Sequence, residues 1–212
     1  MRVVSVNVGL PREAVWNGRS VQTAIFKEPV QGSVAIGRLS LAGDQQADLT
    51  VHGGLEKAVY AYPAEHYAYW QKELPEVAYS WGRFGENLTT EGLREDDLCI
   101  GDCLKVGSAL LIVTQPRTPC YKLNLRFGRD DMIKRFLLSG RSGFYFSVVE
   151  PGEVSAGSTI EIQERDPNRV TVGDILHLHV GPVRDPELLE RATRVSSLSA
   201  SWKAHLLLRA QA

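Results

Sequence analysis

Cysteine is scarce in this chain. Cys99, Cys103 and Cys120 are the three among 212 residues, an odd and sparse set that argues against a secreted disulfide framework and for a reducing, cytoplasmic setting. Long apolar runs are missing too. None approaches the ~20 residues that a membrane-spanning helix needs, so no membrane association is expected. The formal net charge is only -1, which leaves no overall field to draw the protein to nucleic acid or an anionic lipid surface. There is no G-x-G-x-x-G fingerprint after a strand, no Walker loop, no H-E-x-x-H and no pair of C-x-x-C knuckles. Those absences remove most of the case for nucleotide hydride transfer, phosphoryl transfer and zinc proteolysis. The opening "MRVVSVNVGL" alternates as a strand does and lacks the apolar core and cleavage site of a signal peptide, so the mature protein is expected to begin here.

What is present reads first as β structure. "RVVSVNVG", "SVQTAIFKEPV", "GSVAIGRLSLAG", "CLKVGSALLIVTQ", "GFYFSVVEPGEV" and "STIEIQE" are short strands between glycine-rich turns, the pattern of a β-barrel or related core. Pro63 opens a helix with His66, Tyr67, Trp70 and Leu74 on one face, and "DDMIKRFLLSG" predicts a second with Met132, Ile133, Phe136 and Leu137 inward. After Gln163 the polar "ERDPNR" marks a boundary. The expected division is a β domain over 1–163 and a small helical domain over 164–212. In the latter, "DPELLERATRV" and "LSASWKAHLLLRA" read as amphipathic helices, the second capped by Ser199 or Ser201. "VTVGDILHLHV" fits strand and helix alike.

The chemistry concentrates in "QPRTPCYKL", Gln115 to Leu123. Between Gln115 and Arg141 seven basic residues face two acidic ones. Pro116 and Pro119 stiffen the backbone around Cys120, and the cations Arg117 and Lys122 flank it. Nearby positive charge favours the thiolate, the form that attacks electrophiles and binds metals; these residues alone leave nucleophile and metal ligand both open. Cys99 and Cys103 have no second cluster to complete a four-ligand site and read as buried structure. His177 and His179 would lie about 200° apart on a helix of ~3.6 residues per turn and could not converge on one metal. "GDQQADLTVHGGLEKAVYAYP" offers Asp44, Gln45, Asp48, His52 and Lys57 around Gly53 and Gly54, and "FGENLTTEGL" offers Asn87 beside Gly85, where freed backbone amides suit an anion.

In order, "GDQQADLTVHGGLEKAVYAYPAEHY", "FGENLTTEGL", "GDCLKVGSALLIVTQPRTPCYKL" and "GFYFSVVEPGEVSAGSTIEI" resemble the signature blocks of the MOSC domain, named for the C-terminal domain of molybdenum-cofactor sulfurases, and most closely its YiiM-like bacterial members. The resemblance spans roughly Met1 to Ile162. It implies a mainly β fold with α elements, a MOSC-type β-barrel core with peripheral helices and a small C-terminal three-helix tail, which favours a helix for "VTVGDILHLHV".

It further implies a molybdenum cofactor of the molybdopterin type, with Cys120 as protein ligand to the metal and Lys57, Asn87, Arg117 and Lys122 as contacts to the cofactor. A soft thiolate suits that metal, and an arginine fork suits a phosphate. YiiM-like proteins reduce N-hydroxylated compounds such as N-hydroxylaminopurines, a detoxification in which oxygen leaves nitrogen at the metal. Asp44, His52 and Glu86 are the candidates for supplying protons or orienting the substrate. The chain carries no flavin or nicotinamide fold, so a separate electron-donor protein is expected; Arg126, Arg129, Lys134 and Arg135 are either its docking patch or a solvated helix face. A homodimer stays open. Two departures stand out: family members often carry two consecutive histidines where this chain has Val51-His52, and the tail looks short. The rival readings are a non-catalytic cofactor or sulfur carrier using Cys120, and a Cys-His hydrolase built from Cys120 and His52, which lacks an evident oxyanion motif.

Overall fold

The computed structural model describes residues 1–47, 53–181 and 185–211. Twelve strands and six α-helices are found there, besides a short 3-10 helix at Leu55–Lys57: β1 (Arg2–Val8), β2 (Arg12–Trp16), β3 (Arg19–Thr23), β4 (Glu28–Val30), β5 (Val34–Ile36), β6 (Val59–Pro63), α1 (Glu65–Glu73), β7 (Leu88–Glu91), β8 (Cys103–Val106), β9 (Ala109–Pro116), α2 (Tyr121–Phe127), α3 (Met132–Leu138), β10 (Phe144–Glu150), β11 (Gly152–Val154), β12 (Ile160–Glu164), α4 (Val172–Val180), α5 (Pro186–Arg194) and α6 (Ala200–Arg209).

Eight strands form one sheet in the order β12-β8-β9-β10-β6-β7-β1-β4. Its pairs are antiparallel except β6 with β7, whose parallel register is reached by a crossover through α1. A closed barrel was expected, and no closed ladder of strands is found among the described residues. The first strand does meet the approach to β12: Val3 N–H donates to Ser158 O at 2.9 Å, Gly157 N–H to Val3 O at 2.8 Å, and Ile160 N–H to Met1 O at 2.9 Å. The fold class is thus mixed α/β around a large, mostly antiparallel sheet. Among the described residues no helix is long and apolar enough to cross a membrane.

The expected strand "SVQTAIFKEPV" divides in two. β2 and β3 form a separate hairpin whose Asn17 and Gly18 both sit at positive φ, 50° and 73°, as a two-residue turn between right-twisted strands requires. Ala24 to Lys27 then leave the sheet and cross one wall of the cleft described below.

Two apolar clusters hold these elements. The larger joins the sheet (Val6, Val59, Leu111, Val113, Phe146) to the tail helices through Ile175, Leu178, Leu188, Trp202 and Leu206. The residues after 164 therefore bury their faces in the same core as the strands. The smaller is aromatic: Tyr62 stacks on Phe84 with ring centroids 4.4 Å apart, and Phe84 meets Phe127 at 5.2 Å.

Capping decides the ambiguous "VTVGDILHLHV" in favour of a helix. Thr171 Oγ1 accepts from Asp174 N–H and the Asp174 carboxylate accepts from Thr171 N–H, both at 2.9 Å, a reciprocal capping box. Ser199 caps α6 by accepting from Trp202 N–H at 3.2 Å. Thr171→Ala is expected to cost about 1 kcal/mol, read as a lower urea midpoint with an unchanged slope.

Candidate functional site

The strand β9 is buried over Val113–Pro116 and ends there, delivering Arg117 into the interior with 7% of its surface exposed. Arg117 Nη1 donates to Phe84 O at 2.6 Å and to Tyr60 Oη at 3.3 Å, and the guanidinium lies 4.8 Å from the Tyr60 ring centroid. Burial works against its charge, while Tyr60, Tyr145 and Cys120 around it more than offset this and hold its pKa above the ordinary arginine value. Burial pushes the Tyr60 and Tyr145 phenols up. Among the described residues no carboxylate forms an ion pair with Arg117.

Three residues on, Cys120 is the N-cap of α2, extended at φ -122° and half-buried. This helix was not expected from the sequence: seven residues are too few to show a period. It places Lys122 in the same cleft as the cysteine. Lys122 is 8% exposed, and no hydrogen bond or ion pair ties it to the described residues around it.

Arg117, Cys120, Lys122, Lys57 and Asn87 line one cleft of about 700 Å³, open to solvent. The structure thus brings together all five residues expected to hold the cofactor. It adds Lys27, Tyr60 and Tyr145, which the sequence reading missed. Gly85, at φ 80°, approaches Ile25 so closely that a Cβ would stand 2.9 Å from Ile25 Cγ1; a side chain would push into the wall of this cleft.

The expected acid groups are placed otherwise. Asp44 is buried, accepts from Gly9 N–H at 2.9 Å and Asn87 Nδ2 at 2.8 Å, and pairs with Lys27. Asn87 Oδ1 in turn accepts from Tyr60 N–H at 3.1 Å. The Asn87 amide is therefore engaged in clasping β6 to the Asp44 turn. Glu86 is fully buried and accepts from Gly82 N–H, Phe84 N–H, Thr89 Oγ1 and Tyr67 Oη; burial still pushes its carboxyl up. Neither carboxylate is part of the cleft's wall, and among the described wall residues there is no Asp, Glu or His. His52 and Asp48 lie outside the described residues.

The candidate basic patch is neutralised in part, at Arg129 and Arg135. Arg129 bonds Glu76 and Asp131, and Arg135 shares Asp131. Arg126 lies 4.9 Å from the Phe26 ring, its pKa pushed down to about 10 by burial. Among the described residues no group of three or more His, Cys, Asp or Glu side chains is placed to hold a metal ion. The donor set of the cleft is instead one thiol among cations. That combination fits a cofactor bearing its own metal ligands and an anionic tail, for which the protein adds a single soft ligand and neutralising charge.

Comparison with known proteins bears on this fit. The MOSC domain model matches residues 48–161, more than half of the chain. Protein YiiM of Escherichia coli (strain K12) is 40% identical over 182 residues, covering 85% of this chain and 81% of that protein. A Gibberella moniliformis protein named Reductase is 38% identical over 151 residues, which cover 70% of this chain and 27% of that protein. The crystal structure of YiiM from Geobacillus stearothermophilus superposes with a TM-score of 0.82 at 34% identity, over 99% of this chain and 98% of that one. A likeness that runs nearly end to end, with a domain match that contains Lys57, Arg117, Cys120 and Lys122, means that the chain belongs to the MOSC-domain family, in its YiiM-like branch.

Proposed function

We propose that the protein is a cytoplasmic, molybdenum-cofactor-dependent reductase of N-hydroxylated compounds such as N-hydroxylaminopurines, serving their detoxification. The observation that carries the reading is the cleft itself, where Cys120 stands with two nine-tenths buried cations, Arg117 and Lys122, that no described carboxylate neutralises. A buried cation without a counter-charge is costly, and a bound anion would remove that cost. The name of the fungal relative, Reductase, supports the same class of chemistry.

In this reading Cys120 is the protein ligand to molybdenum, and Arg117, Lys57 and Lys122 hold the anionic parts of the cofactor. Asn87 acts from behind by fixing Tyr60. The bound cofactor would supply two-electron reduction of the N–O bond. Arg117, locked by Phe84 O and Tyr60 Oη, keeps its fork oriented before any ligand arrives, so little side-chain entropy remains to be lost. Asp44 keeps its place here as an orienting group, acting through Lys27 and Asn87, and Glu86 by shaping the Gly82–Glu86 turn; His52 stays a candidate proton donor. A barrel-like closure of β1 on the 157–160 segment belongs to this reading too, as do a separate electron-donor protein and a homodimer.

The test loads the protein in a molybdenum-replete host and supplies an artificial electron donor with N-hydroxylaminopurine or an amidoxime. Substrate-dependent oxidation of the donor is expected. Bound molybdenum without that oxidation sinks the reductase; labile sulfur with no molybdenum supports the carrier instead.

A further inference from the structure

Reducing an N–O bond to an amine and water consumes two protons, which must reach the Cys120 cleft. A second recess of about 410 Å³ adjoins it. Thr118, between Arg117 and Cys120, walls both spaces, and the second is completed by His179 of α4 and by Ser201, Trp202 and His205 of α6.

Here His179 is paired with a residue 26 positions away. Its Nδ1 lies 2.9 Å from Nε2 of His205. The buried Trp202 braces both rings edge-on, with centroid distances of 5.2 Å to His179 and 6.1 Å to His205. His177, by contrast, is exposed on the same helix.

Two neutral imidazoles carry two N–H protons over four ring nitrogens. At this separation one proton bridges the rings and the second sits on the outer nitrogen of the accepting ring. The outer nitrogen of the donating ring is bare. A proton taken up there forms a new N–H bond, the bridging proton crosses to the other ring, and that ring's outer N–H breaks to release a proton on the far side. One proton enters and one leaves, with no change in charge or oxidation state.

We propose that the His179–His205 pair is a proton relay between solvent and the Cys120 cleft, opening beside Thr118. The proposal rests on the reductase reading and assigns the C-terminal helices a part in the reaction that their packing role does not require. The relay needs a neutral pair, and burial lowers the pKa of His179, as do the charges of His205 and Arg209. Arg209 is held on the same side by bonds from its guanidinium to Leu178 O and Gly181 O, at 3.1 and 2.6 Å.

His205→Gln retains a hydrogen-bonding partner for His179 but cannot pass a proton through a ring. In the cofactor-loaded protein its turnover with an artificial donor is expected to fall about tenfold or more, within the range for lost acid-base participation. Added imidazole is expected to restore part of the rate, while molybdenum content and melting temperature stay at the wild-type level. His177→Gln serves as the control and should turn over normally. A readout without turnover is the NMR titration of His179, whose midpoint should move to higher pH in His205→Gln because one charge that lowers it is gone. Wild-type rates at every pH in both His205→Gln and His179→Gln, at unchanged metal content, overturn the relay and leave the reductase standing. A molybdenum-loaded wild type without turnover overturns the reductase itself, and the relay with it.

Discussion

Cys120→Ser is expected to abolish substrate reduction and to strip molybdenum from the protein while leaving the fold intact. The position is the N-cap of α2, where serine is among the favoured residues, so helix stability should be preserved or slightly raised. What changes is the donor. A hydroxyl is a hard, weakly acidic group, whereas a thiolate is a soft metal ligand. Changes to residues that only support a metal ligand cost about 10–100-fold, so removal of the ligand should exceed ~100-fold in turnover. Metal analysis and a thermal melt run beside the assay separate this from unfolding. A serine variant that keeps both molybdenum and activity would remove Cys120 from the centre of the site. Arg117, Lys57 and Lys122 remain in the variant, so weak, easily lost binding of the whole cofactor through its anionic parts is the expected partial state.

Much of this site could be read from one short segment because its chemistry is local. Pro116, Arg117, Pro119, Cys120 and Lys122 fall within seven consecutive positions, and the cleft is built around them. What escaped the sequence comes from elsewhere in the chain. Lys27 sits in a four-residue crossing between β3 and β4, and nothing in "IFKEPV" distinguishes a lysine that is 8% exposed from one in water. Tyr60 and Tyr145 lie on β6 and β10, neighbours through sheet register, and pairing over that separation has no local signature. The β2–β3 hairpin did have a signal, the Asn17-Gly18 dipeptide, but the expected strand begins at Ser20 and its partner over Arg12–Trp16 was not expected. Asp44 and Glu86 show the converse problem. Their types suggested proton transfer, but the role of a buried carboxylate depends on how many donors surround it, and those donors come from Gly9, Lys27, Tyr67, Gly82, Phe84, Asn87 and Thr89.

That dependence gives Asp44→Ala the largest expected effect on stability. The Asp44 side chain is 2% exposed and the Lys27 side chain 9% in their ion pair, and the same carboxylate receives Gly9 N–H and Asn87 Nδ2. Its removal leaves a buried ammonium without its ion-pair partner and takes the acceptor from two donors. Breaking one side of such a pair costs about 3–5 kcal/mol. The effect carries a pH signature with a definite sign. Desolvation already lowers the Lys27 pKa, although Asp44 raises it in part; without Asp44 it should fall further. A lysine with a lower pKa in the folded state binds fewer protons folded than unfolded between the two values, so stability rises with pH across that interval. The deficit of Asp44→Ala should therefore be greatest below the folded-state pKa and shrink as pH rises toward the ordinary lysine value. Lys27→Met added to Asp44→Ala should recover much of the loss at neutral pH, since the uncompensated charge is gone and the aliphatic stem is kept. Urea melts of the single and double variants across the alkaline range measure both effects. A deficit in Asp44→Ala that does not vary with pH, and that Lys27→Met leaves unchanged, would show that Asp44 acts through Gly9 and Asn87 rather than through the lysine.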